Sequence, residues 1–486
     1  MAPTAESHDE RRWLILAVLG IAQLMVVLDA TIVNVALPSA QKALAFSDEN
    51  RQWIITAYAL SFGSLLLLGG RVGDVFGRKR VFIAGLAGFA GASAIGGAAE
   101  SFEVLVAARA LQGVFGALLA PAALSLLTTT FTDPAERGKA FGIFGAIAGS
   151  GAAVGLLLGG VLTEYLSWRW VMNVNLAFAV PAIAGASVLL RHQASAARPR
   201  IDVPGTLTST AGLFAIVDGV SEAQRSAWGE PLTIALLASG VVLLAMFAAL
   251  ERRVAHPLLP LRVVLDRDRG GSYLAVGVSG AGMFGVFLFL TFFLQRNLGY
   301  TPIKTGLAFL PMTLAIMAAA TTATTALLPR TGPKPLVTLG MLLSAGGMIL
   351  LTGIGADAGY AADILPGLVL AGAGMGLVLA PAIASATYGI RPDDAGVGSA
   401  MVNTAQQIGG SIGTALLSTI VTSAITGRLA GVAPSPQALE AAQIHGYTTA
   451  FWWSAAILAV GAVVSGLLLR PGVQKLGPAA VPLMAH

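Results

Sequence analysis

Long apolar stretches, each closed by a short polar or basic segment, recur along the whole chain. They fall at about 13–37, 52–70, 81–99, 104–127, 140–162, 170–190, 203–220, 232–250, 272–294, 305–328, 335–354, 364–386, 397–426 and 450–470, fourteen in all. A helix needs roughly 20 residues to cross a hydrocarbon core, and these runs are close to that length. An open strand or loop would leave backbone N–H and C=O groups unpaired in lipid, so the pattern predicts helices throughout. The run at 203–220 is the weakest, being rich in Thr and Gly and interrupted by Asp218.

Composition agrees with this pattern. Of 486 residues, 56% are hydrophobic and only 11% charged, against about 25% charged in ordinary soluble domains. The mean hydropathy of +0.78 points the same way. A soluble fold of this make-up would expose large apolar patches and aggregate. A cytosolic enzyme, a disordered regulator and a disulfide-built module are therefore excluded, and the lipid bilayer is the expected main partner. The chain has no cysteine, and its five histidines lie outside the apolar runs without metal-ligand spacing. No metal site is expected.

The net charge of +5 acquires meaning once the basic residues are placed between the runs. With the N-terminus inside, twenty-one Lys and Arg fall on the cytoplasmic side and seven outside, with Arg109 left in the fourth run. This is the positive-inside bias, and it accounts for the basicity without nucleic acid. The expectation is an inner-membrane, multi-pass protein with both termini cytoplasmic. MAPTAESHDERRW lacks a cleavage site and reads as a retained tail.

A weak internal repeat divides the chain. Gly77-Arg-Lys-Arg-Val echoes Gly332-Pro-Lys-Pro-Leu, Leu119-Ala-Pro-Ala echoes Leu379-Ala-Pro-Ala, and Gly155-xxx-Gly159 echoes Gly409-xxx-Gly413, at offsets of 255, 260 and 254. Duplicated halves about a central cavity are an arrangement of alternating-access transporters. The expected organisation is a cytoplasmic tail at 1–12, a six-helix half at 13–191, and a linker with two inserted membrane helices at 192–270. A second six-helix half at 271–470 and a cytoplasmic tail at 471–486 follow. The fold class is an all-α polytopic membrane protein, for which a working monomer is expected.

Few residues carry chemistry inside the apolar runs. Asp29 lies deep in the first, in LMVVLDATIVNVALP, where Thr31 and Asn34 add polarity. An ionised carboxylate at that depth costs roughly 2.5–3.5 kcal/mol even on the lenient insertion scale. It is either a protonatable site facing the cavity or a group near the outer interface. Arg109, in ARALQG, cannot shed its proton and needs a carboxylate or backbone carbonyls as partner. Its repeat mate is Val369, so this charge belongs to one half only. A guanidinium that approaches and leaves Asp29 is a route to coupling protons to conformation.

The loop Gly69–Val81 carries Gly70, Asp74, Gly77 and Arg78 and reads as a tight turn in which Asp74 and Arg78 pair. It is either a conformational latch or a plain basic loop. Gly151, Gly155 and Gly159, followed by Gly160, line one face of the fifth run and serve close packing or gating. Asn34, Gln112, Phe287 and Gln295 are candidates for lining a substrate cavity. Asp133, Asp393 and Asp394 read as solvated helix-start residues. No GxxxxGK[ST] or HExxH occurs, so the residues for ATP hydrolysis and zinc-dependent hydrolysis are lacking.

On these motifs the chain resembles the major facilitator superfamily, and specifically its fourteen-span drug/proton antiporters. LDATIVNVALP (28–38) looks like that family's first-span motif, GGRVGDVFGRKRV its signature loop, and RALQG its fourth-span proton-coupling motif. SWRWVMNVN (167–175) and TFFLQRNLGYTPIKTGLAFLP (291–311) resemble further family stretches. The fifth span departs, with Leu156 where the family carries proline, and Pro333 and Pro335 stand where the first half has Arg78 and Arg80. The resemblance implies the major-facilitator fold and export of a hydrophobic or amphipathic compound against proton influx, with the proton gradient as energy source and no cofactor. Asp29 and Arg109 would couple protons, and Gly70, Asp74, Gly77 and Arg78 would form the latch. An importer of a small metabolite on the same fold, or a non-transporting membrane sensor, are the rival readings.

Overall fold

The computed structural model describes residues 5–46, 53–190, 202–225, 228–254, 257–391, 394–431, 433 and 435–473. These are almost entirely helical. The first half runs α1 (Ala5–Leu44), α2 (Trp53–Phe76), α3 (Arg78–Gly97), α4 (Phe102–Thr130), α5 (Pro134–Tyr165) and α6 (Trp168–Leu189). Next come α7 (Val203–Arg225) and α8 (Pro231–Glu251), then a one-turn helix, Leu261–Val264. The second half comprises α9 (Arg267–Asn297), α10 (Ile303–Thr331), α11 (Pro333–Leu351), α12 (Tyr360–Ala386), α13 (Ala395–Leu429) and α14 (Pro436–Leu468). Among the described residues, thirteen helices are long and apolar enough to cross a membrane. The 32-residue α5 packs in the same bundle. The protein is therefore a multi-pass membrane protein.

Local chemistry sets the helix ends. Ser101, Thr301 and Ser435 accept hydrogen bonds from the backbone N–H three residues on, satisfying donors that a helix start leaves open. Gly77 and Gly332 both take a positive φ, 94° and 77°, between consecutive helices. Only glycine adopts such a backbone without strain, which explains the first repeat pair. The stretch Gly69–Val81, expected as a tight turn, is instead helical up to Phe76 and again from Arg78, so the reversal rests on Gly77 alone. Pro121 and Pro381, the second repeat pair, each sit inside a helix of their own half.

The packing repeats as well. In the first half α1 packs on α5 and α6, while α4 takes α2 and α3. In the second, α9 packs on α13 and α14, while α12 takes α10 and α11. The inserted α7 and α8 pack on each other, and α7 lies against α2 and α13. Across the two halves α2 meets α13, α5 meets α10 and α12, and α4 meets α13.

The apolar core is distributed unevenly along the helix axes. One buried cluster joins both halves at the face bearing the Gly77 turn, from Leu16, Phe82, Leu127 and Phe141 to Tyr273, Val378 and Val402. Toward the opposite face there are two clusters, one from each half: Leu28, Ile32, Leu105 and Val171 in the first, Phe289, Phe309, Leu368 and Phe451 in the second. There the halves touch where Gly306 of α10 lies over Leu157 of α5. The halves are thus sealed together at the Gly77 face and hold separate cores beyond it.

Candidate functional site

Within the first half, five of the six helices deliver polar side chains to one point. Asp29 comes from α1, Tyr58 from α2, Ser93 from α3, Arg109 and Gln112 from α4, and Asn175 from α6. All are buried, Asp29, Ser93, Gln112 and Asn175 completely. Arg109 and Gln112 are three residues apart and so share a face of α4. Arg109 Nη1 donates to Asp29 Oδ2 at 2.6 Å and to Gln112 Oε1 at 2.8 Å, and its Nε donates to the Ile54 carbonyl at 3.2 Å. The guanidinium carbon lies 4.4 Å from the centre of the Tyr58 ring, within cation–π range.

The second carboxylate oxygen is held as firmly. Asp29 Oδ1 accepts from Gln112 Nε2 at 3.1 Å and Asn175 Nδ2 at 2.7 Å. Both amides also donate to Ser93 Oγ, at 2.6 and 3.1 Å. Asp29 therefore takes three N–H donors, one of them charged. Removing one member of such a buried pair costs about 3–5 kcal/mol, because its partner is left uncompensated. Two buried polar atoms, Tyr58 Oη and Asn175 Oδ1, have no partner in the network.

Small residues let the helices come close enough to build this point. A Cβ on Gly113 would lie 2.6 Å from the Tyr58 carbonyl oxygen, so the glycine of RALQG admits α2 and brings its ring over the arginine. A Cβ on Gly155 would lie 2.1 Å from Thr31 Oγ1 and 3.1 Å from the Leu28 carbonyl; on Gly151 it would meet Val27, and on Gly159 Ile32. That glycine face is the seat of α1 on α5, beside Asp29. Gly160 is buried next to it.

The expected latch residues also meet. Arg78 Nη2 donates to Asp74 Oδ1 at 3.1 Å, and the Gly396 backbone N–H at the start of α13 donates to the same oxygen at 3.2 Å. Gly70 and Gly396 face each other so closely that a Cβ on either would lie within 2.6 Å of the other's carbonyl oxygen. Asp74 thus ties α2 to α13 across the two halves at the Gly77 face.

Other expected site residues lie elsewhere. The side chain of Asn34 is outside the described residues. Phe287 and Gln295 are half-buried on α9, Phe287 packing at 5.5 Å on Phe309 in the core of the second half. Asp29 is completely buried, and its hydrogen-bond partners come from helices of its own half. Asp394, expected to be solvated, is buried and paired with Arg262 at 2.7 Å, because the linker folds over it. Asp393 is outside the described residues, and Asp133 caps the start of α5 as expected. The sequence reading missed Tyr58, Ser93 and Asn175. Asn175, an amide in an apolar run, was the findable one.

Comparison with known proteins places the chain. Residues 19–414 match the Major Facilitator Superfamily. The puromycin resistance protein of Streptomyces alboniger is 50% identical over 466 residues, covering 96% of this chain and 92% of that protein. The cephamycin export protein of Amycolatopsis lactamdurans is 38% identical, covering 85% of each. The tetracenomycin C resistance and export protein of Streptomyces glaucescens is 32% identical, covering 87% and 81%. The crystal structure of the human organic anion transporter MFSD10 aligns with a TM-score of 0.62 over 93% of this chain and 99% of that one; at 14% identity it speaks for the fold. The matched length, the relatives and the paired helical halves agree: the chain belongs to the Major Facilitator Superfamily.

Proposed function

We propose that the protein is a drug exporter of the inner membrane that exchanges external protons for a hydrophobic or amphipathic compound. Resistance to antibiotics or their export is what its relatives are named for, and puromycin is the first compound to test. The single observation that carries the coupling is the buried Asp29–Arg109 pair with its Gln112, Asn175 and Ser93 partners. Protonating Asp29 removes the counter-charge of Arg109, and a cluster drawn from five helices repacks when that happens. Fourteen spans, with α5 as the fifth, leave both termini cytoplasmic and agree with the excess of Lys and Arg on the Gly77 face. That face is then the cytoplasmic one, held shut by Asp74, Arg78 and Gly396 and by the shared apolar cluster.

The driving force is adequate. Each pH unit supplies about 1.4 kcal/mol per proton, and the membrane potential about 2.3 kcal/mol per charge per 100 mV. The test is transport by the purified chain in proteoliposomes, screened with puromycin and a panel of amphipathic drugs. Drug movement against its gradient on imposing a pH difference is the expected result. Movement of drugs only down their own gradients would fit a facilitator instead, and no movement a sensor.

A further inference from the structure

Away from the Asp29 site, the inserted hairpin buries two more acids. Asp202 immediately precedes α7 and Glu251 ends α8, and both are more than nine-tenths buried. Asp202 Oδ1 accepts from the Gly205 backbone N–H at 3.0 Å, but its Oδ2 is buried with no donor. A Cβ on Gly205 would lie 2.2 Å from that Oδ2 and 2.7 Å from Glu251 Oε1, so the two carboxyl groups converge on one glycine. The two oxygens are therefore less than about 5 Å apart. Two ionised carboxylates cannot hydrogen-bond; a proton between them satisfies the orphaned oxygen and removes the repulsion.

Glu251 also fastens the segment that follows it. Its Oε1 and Oε2 accept from the backbone N–H groups of Leu258 and Leu259, each at 3.1 Å. Those leucines are buried in a cluster with Leu67 of α2, Leu213, Phe247, and Val397 and Ala400 of α13. They cover the α2–α13 seam beside the Asp74–Gly396 contact. Just beyond, Arg262 reaches Asp394, the residue before α13. The hairpin and its connecting segment are a strap across the α2–α13 seam.

We propose that Asp202 and Glu251 form a second proton-binding site, in which one shared proton fastens this strap over the α2–α13 seam. When that proton leaves, two buried carboxylates repel, Glu251 loses its hold on the 258–259 backbone, and the seam is freed. Of the charged groups on the surrounding elements, Arg252 and Arg253 on α8 are exposed, Arg262 pairs with Asp394, and on α2 Asp74 belongs to the latch while Arg71 is buried within electrostatic reach of Asp74. Rising pH on this face therefore loosens the strap and acid tightens it. The inference takes from the exporter reading only that this face is cytoplasmic.

The chain has no cysteine, so two introduced ones report without background. Spin labels at Leu265 and Phe76, both exposed, measure the strap-to-α2 separation by pulsed electron resonance on the full chain in lipid nanodiscs. The expected result is a short separation in acid giving way to a longer one as pH rises, the ratio changing about tenfold per pH unit as for one proton. In Asp202→Asn a fixed amide hydrogen replaces the shared proton while the amide oxygen keeps the Gly205 N–H, and the separation should stay short at every pH. His256→Gln, removing the histidine two positions before Leu258 in the sequence, should respond as the parent does. A pH-independent parent, an Asp202→Asn variant that still responds, or loss of the response in His256→Gln would each overturn the proposal. No transport is measured, so failure here and failure of the exporter reading are distinct.

Discussion

Replacing Asp29 by asparagine keeps the shape of the side chain but leaves it permanently uncharged, and the structure sets what this does. Asparagine has one oxygen where Asp29 presents two acceptors. It can receive Arg109 or the amides of Gln112 and Asn175, and its own N–H then opposes the other donor. Leaving Arg109 without its buried counter-charge costs about 3–5 kcal/mol, against the roughly 5–15 kcal/mol by which folded proteins are stable. The variant should therefore still fold, with lowered thermal stability. Adding Arg109→Gln should recover part of that loss, since it removes the uncompensated charge and the two sites share one network. In proteoliposomes, Asp29→Asn should lose drug accumulation driven by a pH gradient but keep gradient-free exchange of labelled for unlabelled drug. Driven accumulation at the parent rate, with equal protein in the membrane, would refute the role given to Asp29. A double variant no more stable than Asp29→Asn would refute the pairing argument.

Two further substitutions test the scaffold around the site. Asp74→Lys puts a cation against Arg78 and removes the acceptor of the Gly396 N–H, so a cysteine at the buried Ala400 should label in that background and not in the parent, while drug binding persists. Loss of binding would argue against a latch. Gly155→Leu drives a side chain into Thr31 and the Leu28 carbonyl and should destabilise by about 1–3 kcal/mol in thermal unfolding. Gly91→Leu, where a Cβ meets nothing within 4 Å, should be close to neutral; equal effects would contradict the packing account.

What could be read in the amino-acid order depended on contrast. Asp29 and Arg109 stand out because a charge within an apolar run costs free energy and needs a reason. Gly77 and Gly332 stand out because their repeat offset is the same as that of the helices around them. Ser93 and Tyr58 were silent, since hydroxyls are common in membrane helices and only the fold brings these two to α4. Asp202 and Glu251 were silent for the opposite reason: at the ends of apolar runs they look like ordinary interfacial charges, and their burial comes from a connecting segment that folds back on them. Asp394 was misread in the same way. The glycines of α5 announced close packing, but that their partner was α1, beside Asp29, was tertiary information.

The central claim is that drug and proton compete through Asp29, and proton release on drug binding tests it directly. Purified protein in weakly buffered detergent should release protons into solution when puromycin, or a transported compound from the panel, is added, and Asp29→Asn should bind the same compound without release. Equal release from Asp29→Asn, or drug binding to the parent with no release at any pH, would contradict the account.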